Sequence, residues 1–262
     1  ETKAVLEKVE RSPHLSEAND FHSLPPIVQK WMVTSGASKK GNLASASLEQ
    51  SGKLRTKPNG KWMPFTAQQH TNLKNPSFIW TTRVKPFPPL FLSGRDKFVD
   101  GKGEMLIKFL SLFKVVHEKG NDKIDSGSML RFLGEICWFP TAATEKYINW
   151  QEVDATSAEA FLKIDEKQVS GIFRFSEDGK IKSFEAWRYR GSSPDAKKEK
   201  WVIDVVGYKS FEGMEIPAVC KVTWKSPNGD FEWLHLEIDQ LEYHSLPVAS
   251  PKIAAKNPLF ES

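Results

Sequence analysis

A regular alternation of apolar and polar residues fills the C-terminal half of the chain and constrains its fold more than any other feature. In the last alternating run, Leu234, Leu236 and Ile238 share one face of a strand, and polar residues occupy the other face. Short turn sequences separate the runs, beginning with Asp178 and Gly179. The pattern predicts a hairpin followed by three further antiparallel strands, with one apolar face on the sheet.

The N-terminal half adds a helix and five predicted strands. The sequence LPPIVQKWMVTSG has apolar residues at helical spacing between a proline pair and Gly36, and so predicts a helix. The period then changes to two, and the turn sequences KPNG and DGKG separate the strands. A second helix is predicted over residues 129–138, with Ser126 or Ser128 as its N-cap and Pro140 after its end.

These elements predict a mainly β (α+β) fold of roughly nine or ten antiparallel strands. The strands form a large curved antiparallel sheet or open half-barrel, with one or two helices on its concave face. Residues 21–244 are predicted to form this single β-rich domain. Residues 1–20 are expected to be a flexible or weakly helical N-terminal segment, and residues 245–262 a C-terminal tail.

The composition describes a globular chain and excludes several classes of protein. The 262 residues include 37 basic and 33 acidic side chains, and this mixed charge argues against a nucleic-acid surface. There is no run of about 18 apolar residues, so no segment is predicted to span a membrane. Cys137 and Cys220 lie far apart in apolar surroundings, which favours buried free thiols over a disulfide or a zinc site. The chain begins at Glu1 without a methionine, which suggests a processed or a trimmed protein and leaves a preceding signal or anchor open.

Two opposite charges stand within the apolar central helix. Arg131 and Glu135 are four residues apart in the sequence RFLGEICWFPTA, so they share one face of a helix. The surrounding apolar residues leave little of this helix for water, and a buried charge needs partners. Two interpretations follow: a structural network that ties the helix to the sheet, or a polar spot in a ligand cavity. The candidate partners are Asp96, Arg95, Asp100 and Arg188.

Tryptophans are the second signal of a binding site. The chain has nine of them, and most fall on predicted strands or on the central helix. Large flat side chains with few rotamers suit a packed core, and they also suit the wall of a cavity. The residues that would line such a cavity are Trp80, Trp138, Phe139, Trp187 and Trp224.

Sequence signatures of catalysis are missing. The chain has no GxSxG, HExxH, GxGxxG or Walker-type sequence. His235 and Glu237 share one side of a predicted strand, where they could form a base with its orienting group or half of a metal site. A solvent-facing polar surface explains the same two residues. No catalytic residue, cofactor or metal site is therefore predicted.

The sequence RFLGEICWFPTA resembles the signature of a bacterial family of unknown function. That signature is an arginine, three residues, a glutamate, two residues, and then tryptophan, phenylalanine and proline. It falls here on Arg131, Glu135, Trp138, Phe139 and Pro140, and the resemblance extends over residues 24–243. The family implies no catalytic residues. Its members look exported or membrane-anchored, which implies a location in the cell envelope, either periplasmic or exported.

The predicted architecture is also remotely similar to the lipoprotein-localisation-factor fold. Members of that fold hold acyl chains in an apolar cavity between a curved sheet and its helices. The similarity implies a comparable cavity here, although a shared fold does not by itself imply a shared function.

The leading hypothesis is a non-enzymatic cell-envelope binding protein that holds a lipid-like or other apolar ligand in a half-barrel cavity. Arg131, Glu135 and Arg188, with Asp96, would fix a polar head group, and Arg131→Ala would weaken binding more than folding. One alternative is an enzyme on a small amphipathic substrate, with Glu135, Asp96 or His235 as acid or base. Another is a protein-interaction module. Nucleic acid is not expected as a partner, and membrane association through a removed N-terminal segment stays open.

Overall fold

The computed structural model describes residues 20–245 except 42, 88 and 228. The predicted weakly helical N-terminal segment and the tail from 246 onwards lie outside the described residues. Neither helix named below is long and apolar enough to cross a membrane.

One antiparallel sheet of thirteen strands makes up most of the described chain. The strands are β1 (Leu43–Leu54), β2 (Met63–Asn72), β3 (Ser77–Phe87), β4 (Leu90–Val99), β5 (Lys102–Phe109), β6 (Phe113–Lys119), β7 (Ile148–Asp154), β8 (Ser157–Ile164), β9 (Lys167–Phe175), β10 (Ile181–Tyr189), β11 (Lys198–Phe211), β12 (Met214–Lys225) and β13 (Phe231–Ser245). The chain forms two meanders, β1 to β6 and β7 to β13, which join where β1 pairs with β13. Because β6 and β7 are the two ends of the strand order, the sheet stays open.

Helix α1 (Pro26–Thr34) covers part of the concave face of this sheet. Pro26 stands in its first turn, where a missing amide proton removes no helical hydrogen bond, and Gly36 follows its end with a positive φ of 80°. Trp31 is buried and stacks on Phe173 of β9 with ring centroids 6.3 Å apart. The predicted helix and its stop are therefore confirmed.

Helix α2 (Asp122–Glu135) lies on the same face and begins earlier than the sequence suggested. Its N-cap is Asn121 rather than Ser126 or Ser128, and the side chain of Asn121 accepts a hydrogen bond from the amide of Lys123 at 2.9 Å. The first turns of the helix are polar, so the sequence shows no apolar helical period there. They are polar partly because Asp125 binds the sheet. Its carboxylate accepts from the amide of Gly103 at 2.8 Å and from Lys167 at 2.6 Å.

The predicted fold class is confirmed, but the expected nine or ten strands become thirteen. The additional strands are β6, β7 and β8. Strands β6 and β7 are edges with most side chains exposed, so neither shows the alternation that marks a half-buried strand. In β8 three of the four buried positions are held by Ser157, Ala158 and Ala160, whose small side chains give a weak hydrophobic signal, and only Leu162 is large.

The core lies between the concave face of the sheet and the two helices. Its largest fully buried side chains include Phe78, Phe98, Phe132, Phe173 and Phe184. Cys137 and Cys220 are buried free thiols, as expected. Burial raises the pKa of both, that of Cys220 to about 12, so neither thiol is reactive at neutral pH.

Glu104 on β5 holds three strands together on the face opposite the helices. Its carboxylate contacts Lys97 at 2.6 Å, Arg95 at 2.5 Å and His117 at 3.1 Å. Burial opposes its charge, but hydrogen bonds from Lys97 and His117, together with nearby positive charges, lower the pKa of Glu104 to about 2. Because this pKa is lower in the folded state, the stabilisation is present above pH 4.5 and is lost as the pH falls towards 2.

Replacing Glu104 by glutamine is expected to lower the free energy of unfolding at neutral pH by about 2 kcal/mol. The difference from the unchanged protein should shrink below pH 4.5 and disappear near pH 2. Urea denaturation across this pH range measures it, with Glu166→Gln in the exposed β8–β9 turn as the control. A loss of equal size at every pH would show that the carboxylate charge is not its cause.

Candidate functional site

The guanidinium of Arg131 is the centre of a polar network beneath helix α2. Its Nε–H donates to Oε1 of Glu135 at 2.7 Å, its Nη1–H to Oδ2 of Asp96 at 2.6 Å, and its Nη2–H to Oε1 of Gln69 at 2.8 Å. Burial opposes the charge of Arg131, but the carboxylates of Glu135 and Asp96 raise its pKa. The predicted pair therefore exists, and it ties the helix to strands β2 and β4.

Gln69 completes this hydrogen-bond network, although it was not among the predicted partners of Arg131 and Glu135. Its Nε2–H donates to Oε2 of Glu135 at 2.6 Å and to Oγ1 of Thr71 at 3.1 Å. Gln69 is fully buried on the face of β2 that also carries Phe65 and Ala67. A signal for it was present in the sequence, because a glutamine on the apolar face of an alternating strand needs a polar partner.

Aromatic rings enclose Arg131 on the side of β3. Its guanidinium carbon lies 4.6 Å from the ring centroid of Phe78 and 5.0 Å from that of Trp80. The indole N–H of Trp80 donates to Oε1 of Gln50 at 2.8 Å. The Nε2 amide of Gln50 is buried and has no hydrogen-bond partner among the described residues, so it leaves a donor open beside Trp80.

Arg188 of β10 packs against Gly127, which lies one turn before Arg131 on the same face of helix α2. A Cβ atom at position 127 would come within 3.3 Å of Nε of Arg188. The guanidinium lies over the indoles of Trp201 at 4.7 Å and Trp224 at 6.0 Å, two residues that face each other across β11 and β12. Within the described part of the chain, no carboxylate comes within ion-pair distance of Arg188. Burial lowers the pKa of Arg188 to about 10, and the charge of Arg131 acts in the same direction, whereas the carboxylates of Asp96 and Glu135 oppose this shift. The side chain is therefore charged at neutral pH.

The structure separates the remaining predicted cavity residues from this network. Trp138 and Phe139 follow helix α2 and are packed into the core, with Phe139 only 1% exposed. Trp187 is 65% exposed. It lines a cleft of about 730 Å³ where β9 and β10 part, beyond the last pair formed by Ile172 and Glu185. A ligand role for these three residues stays a prediction.

The groups considered for acid–base chemistry have other partners. Asp96 and Glu135 both accept hydrogen bonds from Arg131. His235 contacts Glu232 at 2.6 Å, whereas Glu237 binds Lys209 at 2.7 Å, so the two do not pair. Across the described residues, no group of three or more histidine, cysteine, aspartate or glutamate side chains could hold a metal ion.

The fold and the site define an open antiparallel half-barrel whose helix is fixed to the concave face by a buried polar network. The chain belongs to a family of unknown function, DUF6920, whose sequence profile matches residues 22–243. The predicted membership in a family of unknown function is thus confirmed. No curated protein matches the sequence.

Solved structures show similar folds. The chain is similar to an outer membrane lipoprotein-sorting protein domain from Vibrio parahaemolyticus, with 7% identity and a TM-score of 0.49 over 86% of this chain and 93% of that one. It is similar to a LolA superfamily protein from Nitrosomonas europaea, with 10% identity and a TM-score of 0.45 over 84% and 93%. A DUF1329 family protein from Desulfovibrio piger gives 9% identity and a TM-score of 0.47 over 83% and 93%. The similarity to the lipoprotein-localisation-factor fold drawn from the sequence recurs here, and it concerns the fold alone.

Proposed function

We propose that this protein is a non-enzymatic binding protein of the cell envelope that holds an amphipathic ligand. The ligand has an anionic head group and an apolar chain, as in a fatty acid or an acidic lipid. Its head group binds Arg188, and its chain lies along the concave face of the half-barrel. Trp80 of β3, Trp201 of β11 and Trp224 of β12 supply the aromatic walls beside helix α2.

The observation that carries this proposal is the contrast between two arginines. Arg131 uses Nε, Nη1 and Nη2 in hydrogen bonds within the protein. Arg188 is partly buried against two indoles and forms no ion pair among the described residues, although Asp96 and Glu135 act on its charge from a greater distance. A buried charge without a partner destabilises a fold, so its presence is best explained by an anion that binds there. We therefore assign Arg131 to the structural network and Arg188 to the ligand.

The apolar part of the ligand has a matching surface. Several hydrophobic side chains pack against the core and remain only partly buried: Leu54, Met63, Trp80, Leu92, Ile203 and Leu234. They come from strands on both sides of the β1–β13 junction. If an acyl chain covered these side chains, the free energy of binding would become more favourable by about 25 cal/mol for each Å² of apolar surface removed from water.

Replacing Arg188 by methionine is expected to weaken ligand binding while stabilising the unliganded protein. A hydrogen bond to a charged group contributes about 1.5–3 kcal/mol, so the affinity should fall about tenfold to a hundredfold. Removal of the unpaired charge stabilises the fold, and loss of its contacts with the indoles destabilises it. The net effect should be a rise of about 1 kcal/mol in the free energy of unfolding. A fluorescent fatty acid measures the first effect and urea denaturation the second.

Two controls make this experiment specific. Arg174→Met removes an arginine that pairs with Glu185 on the opposite face of the sheet, and it should leave binding unchanged. The methyl ester of the same fatty acid lacks the carboxylate and should bind unchanged protein and Arg188→Met equally. Native mass spectrometry of the purified protein, with an organic extract analysed beside it, identifies any ligand carried from the cell. Equal affinity of unchanged protein for the acid and its ester would contradict the assignment of Arg188.

A further inference from the structure

The ends of the β3–β4 and β5–β6 hairpins form one corner of the sheet with a distinct composition. Residues 81–95 and 106–117 contain no aspartate or glutamate, but they include Arg83, Lys85, Arg95, Lys108 and Lys114. The two ends are neighbours, because β4 pairs with both β3 and β5 and the amide of Leu110 donates to the carbonyl of Phe91 at 3.1 Å. We call these two segments the basic corner.

Apolar side chains project from the tip of the basic corner. Leu112 is 76% exposed, Phe113 66% and Val115 60%. The turn that presents them has two non-glycine residues with positive φ, Leu110 at 50° and Ser111 at 61°. Such a conformation is unfavourable for a leucine, and proteins retain this strain chiefly at functional sites. The turn thus holds a leucine and a phenylalanine in solvent.

Cations lie side by side on the outer surface of the same corner. Lys108 and Lys114 stand directly opposite each other on β5 and β6, and Arg83 continues the row through Ser93. Like charges in facing positions destabilise a strand pair. Among the described residues, none of these three cations has a carboxylate within ion-pair distance. The guanidinium of Arg83 instead lies 3.9 Å from the ring centroid of Phe91. These three cations are therefore available to bind negative charge outside the protein.

We propose that the basic corner docks on the surface of an anionic lipid bilayer. Leu112 and Phe113 enter the region between head groups and acyl chains, while Arg83, Lys108 and Lys114 lie against the lipid phosphates. An exposed apolar tip beside unpaired cations matches the two chemistries of such a surface, which offers apolar depth and negative charge together. An acidic protein surface would pair with the cations, but it would not explain why an exposed leucine and an exposed phenylalanine stand beside them.

A continuous apolar row connects this corner with the interior of the half-barrel. Val84 pairs with Leu92, Leu92 with Phe109, and Phe109 with Phe113, so the four side chains share one face across β3 to β6. Val84 is buried and Phe113 is exposed. Docking at the corner would place the outer end of this row at the bilayer and its inner end at the concave face. The docking itself does not depend on which ligand the half-barrel holds.

The experiment is sedimentation of the whole chain with vesicles of phosphatidylglycerol and phosphatidylcholine in equal parts. The unchanged protein should sediment with them and be released by salt, and it should bind vesicles of phosphatidylcholine alone much less. The double variant Leu112→Ser with Phe113→Ser should bind at least about tenfold more weakly. Lys108→Gln with Lys114→Gln should weaken binding about tenfold at low salt and should have less effect at high salt.

Matched controls keep the proposal falsifiable. Val153→Ser with Val206→Ser removes two exposed apolar side chains elsewhere, and Lys163→Gln with Lys182→Gln removes two exposed cations. Both should bind vesicles like the unchanged protein. If the unchanged protein ignores anionic vesicles, or if the tip variant and its control bind equally, the docking proposal is overturned. Arg188→Met should dock normally, so a failure of docking and a failure of ligand binding are separate results.

Discussion

Replacing Arg131 by alanine is expected to lower the free energy of unfolding by about 3–5 kcal/mol. The reason is that Asp96 and Glu135 would keep their charges but lose the cation that joins them. The oxygen of Gln69 would also lose its donor. Chemical denaturation measures this loss. Helix α2 is held over the sheet by the same network, so amide exchange in the helix should accelerate in parallel.

The comparison variants decide whether the network is the cause. Arg174→Ala removes a partly exposed arginine that pairs with Glu185, and it should destabilise by less than about 1 kcal/mol. Arg131→Ala combined with Glu135→Ala should lose less than the sum of the two single variants, because the second change removes a charge that the first has orphaned. Strict additivity, or a loss below about 1 kcal/mol for Arg131→Ala, would contradict a buried network at this position.

Replacing Gly52 by alanine is expected to lower the free energy of unfolding by about 3 kcal/mol or more. Gly52 lies in β1 with a φ of 155°, and a Cβ atom there would come within 2.0 Å of the carbonyl oxygen of His235 in β13. The clash is with backbone, so a side-chain rotation cannot relieve it. Strands β1 and β13 join the two meanders of the sheet, so their separation would expose the core between the two halves.

Gly41→Ala is the matched control for this prediction. A Cβ atom at position 41 meets nothing within 4 Å, so the substitution should change the free energy of unfolding by less than about 0.5 kcal/mol. Equal stability of the two alanine variants would show that the β1–β13 junction tolerates an extra methyl group. The melting temperatures of both variants can be measured in the same buffer, and the expected difference of several degrees is easily resolved.

Much of the fold was predictable from local pattern. Turn sequences with asparagine, aspartate and glycine marked the hairpins, and alternation gave the inward face of β3 and β13. Prediction failed where the exposure of a side chain depends on strands and helices that are distant in the sequence. Strand β6 carries exposed Phe113 and Val115 because it is a sheet edge, and no local signal shows that an edge lies there. The start of α2 was missed for a related reason, since Asp125 is buried by contacts with Gly103 and Lys167.

The candidate site was predictable in part. The spacing of Arg131 and Glu135 indicated their pairing, and Asp96 was among the expected partners. Gln69 could have been found as a polar residue on the apolar face of β2. The exposure of Trp187 could not have been found, because it depends on the parting of β9 and β10 above helix α2.

The sequence by itself determined much of the local order of this protein: ten of its thirteen strands with their turns, the inward face of β3 and β13, and a charged pair one helical turn apart. These features depend on residues within a few positions of each other. Only the tertiary structure decided which arginine is satisfied within the protein and which remains available. Arg131 finds Asp96 and Gln69 at separations of 35 and 62 residues along the chain, whereas Arg188 meets two indoles and no carboxylate among the described residues. Such partners are set by strand register and by the position of the helix on the curved sheet, which no local pattern encodes.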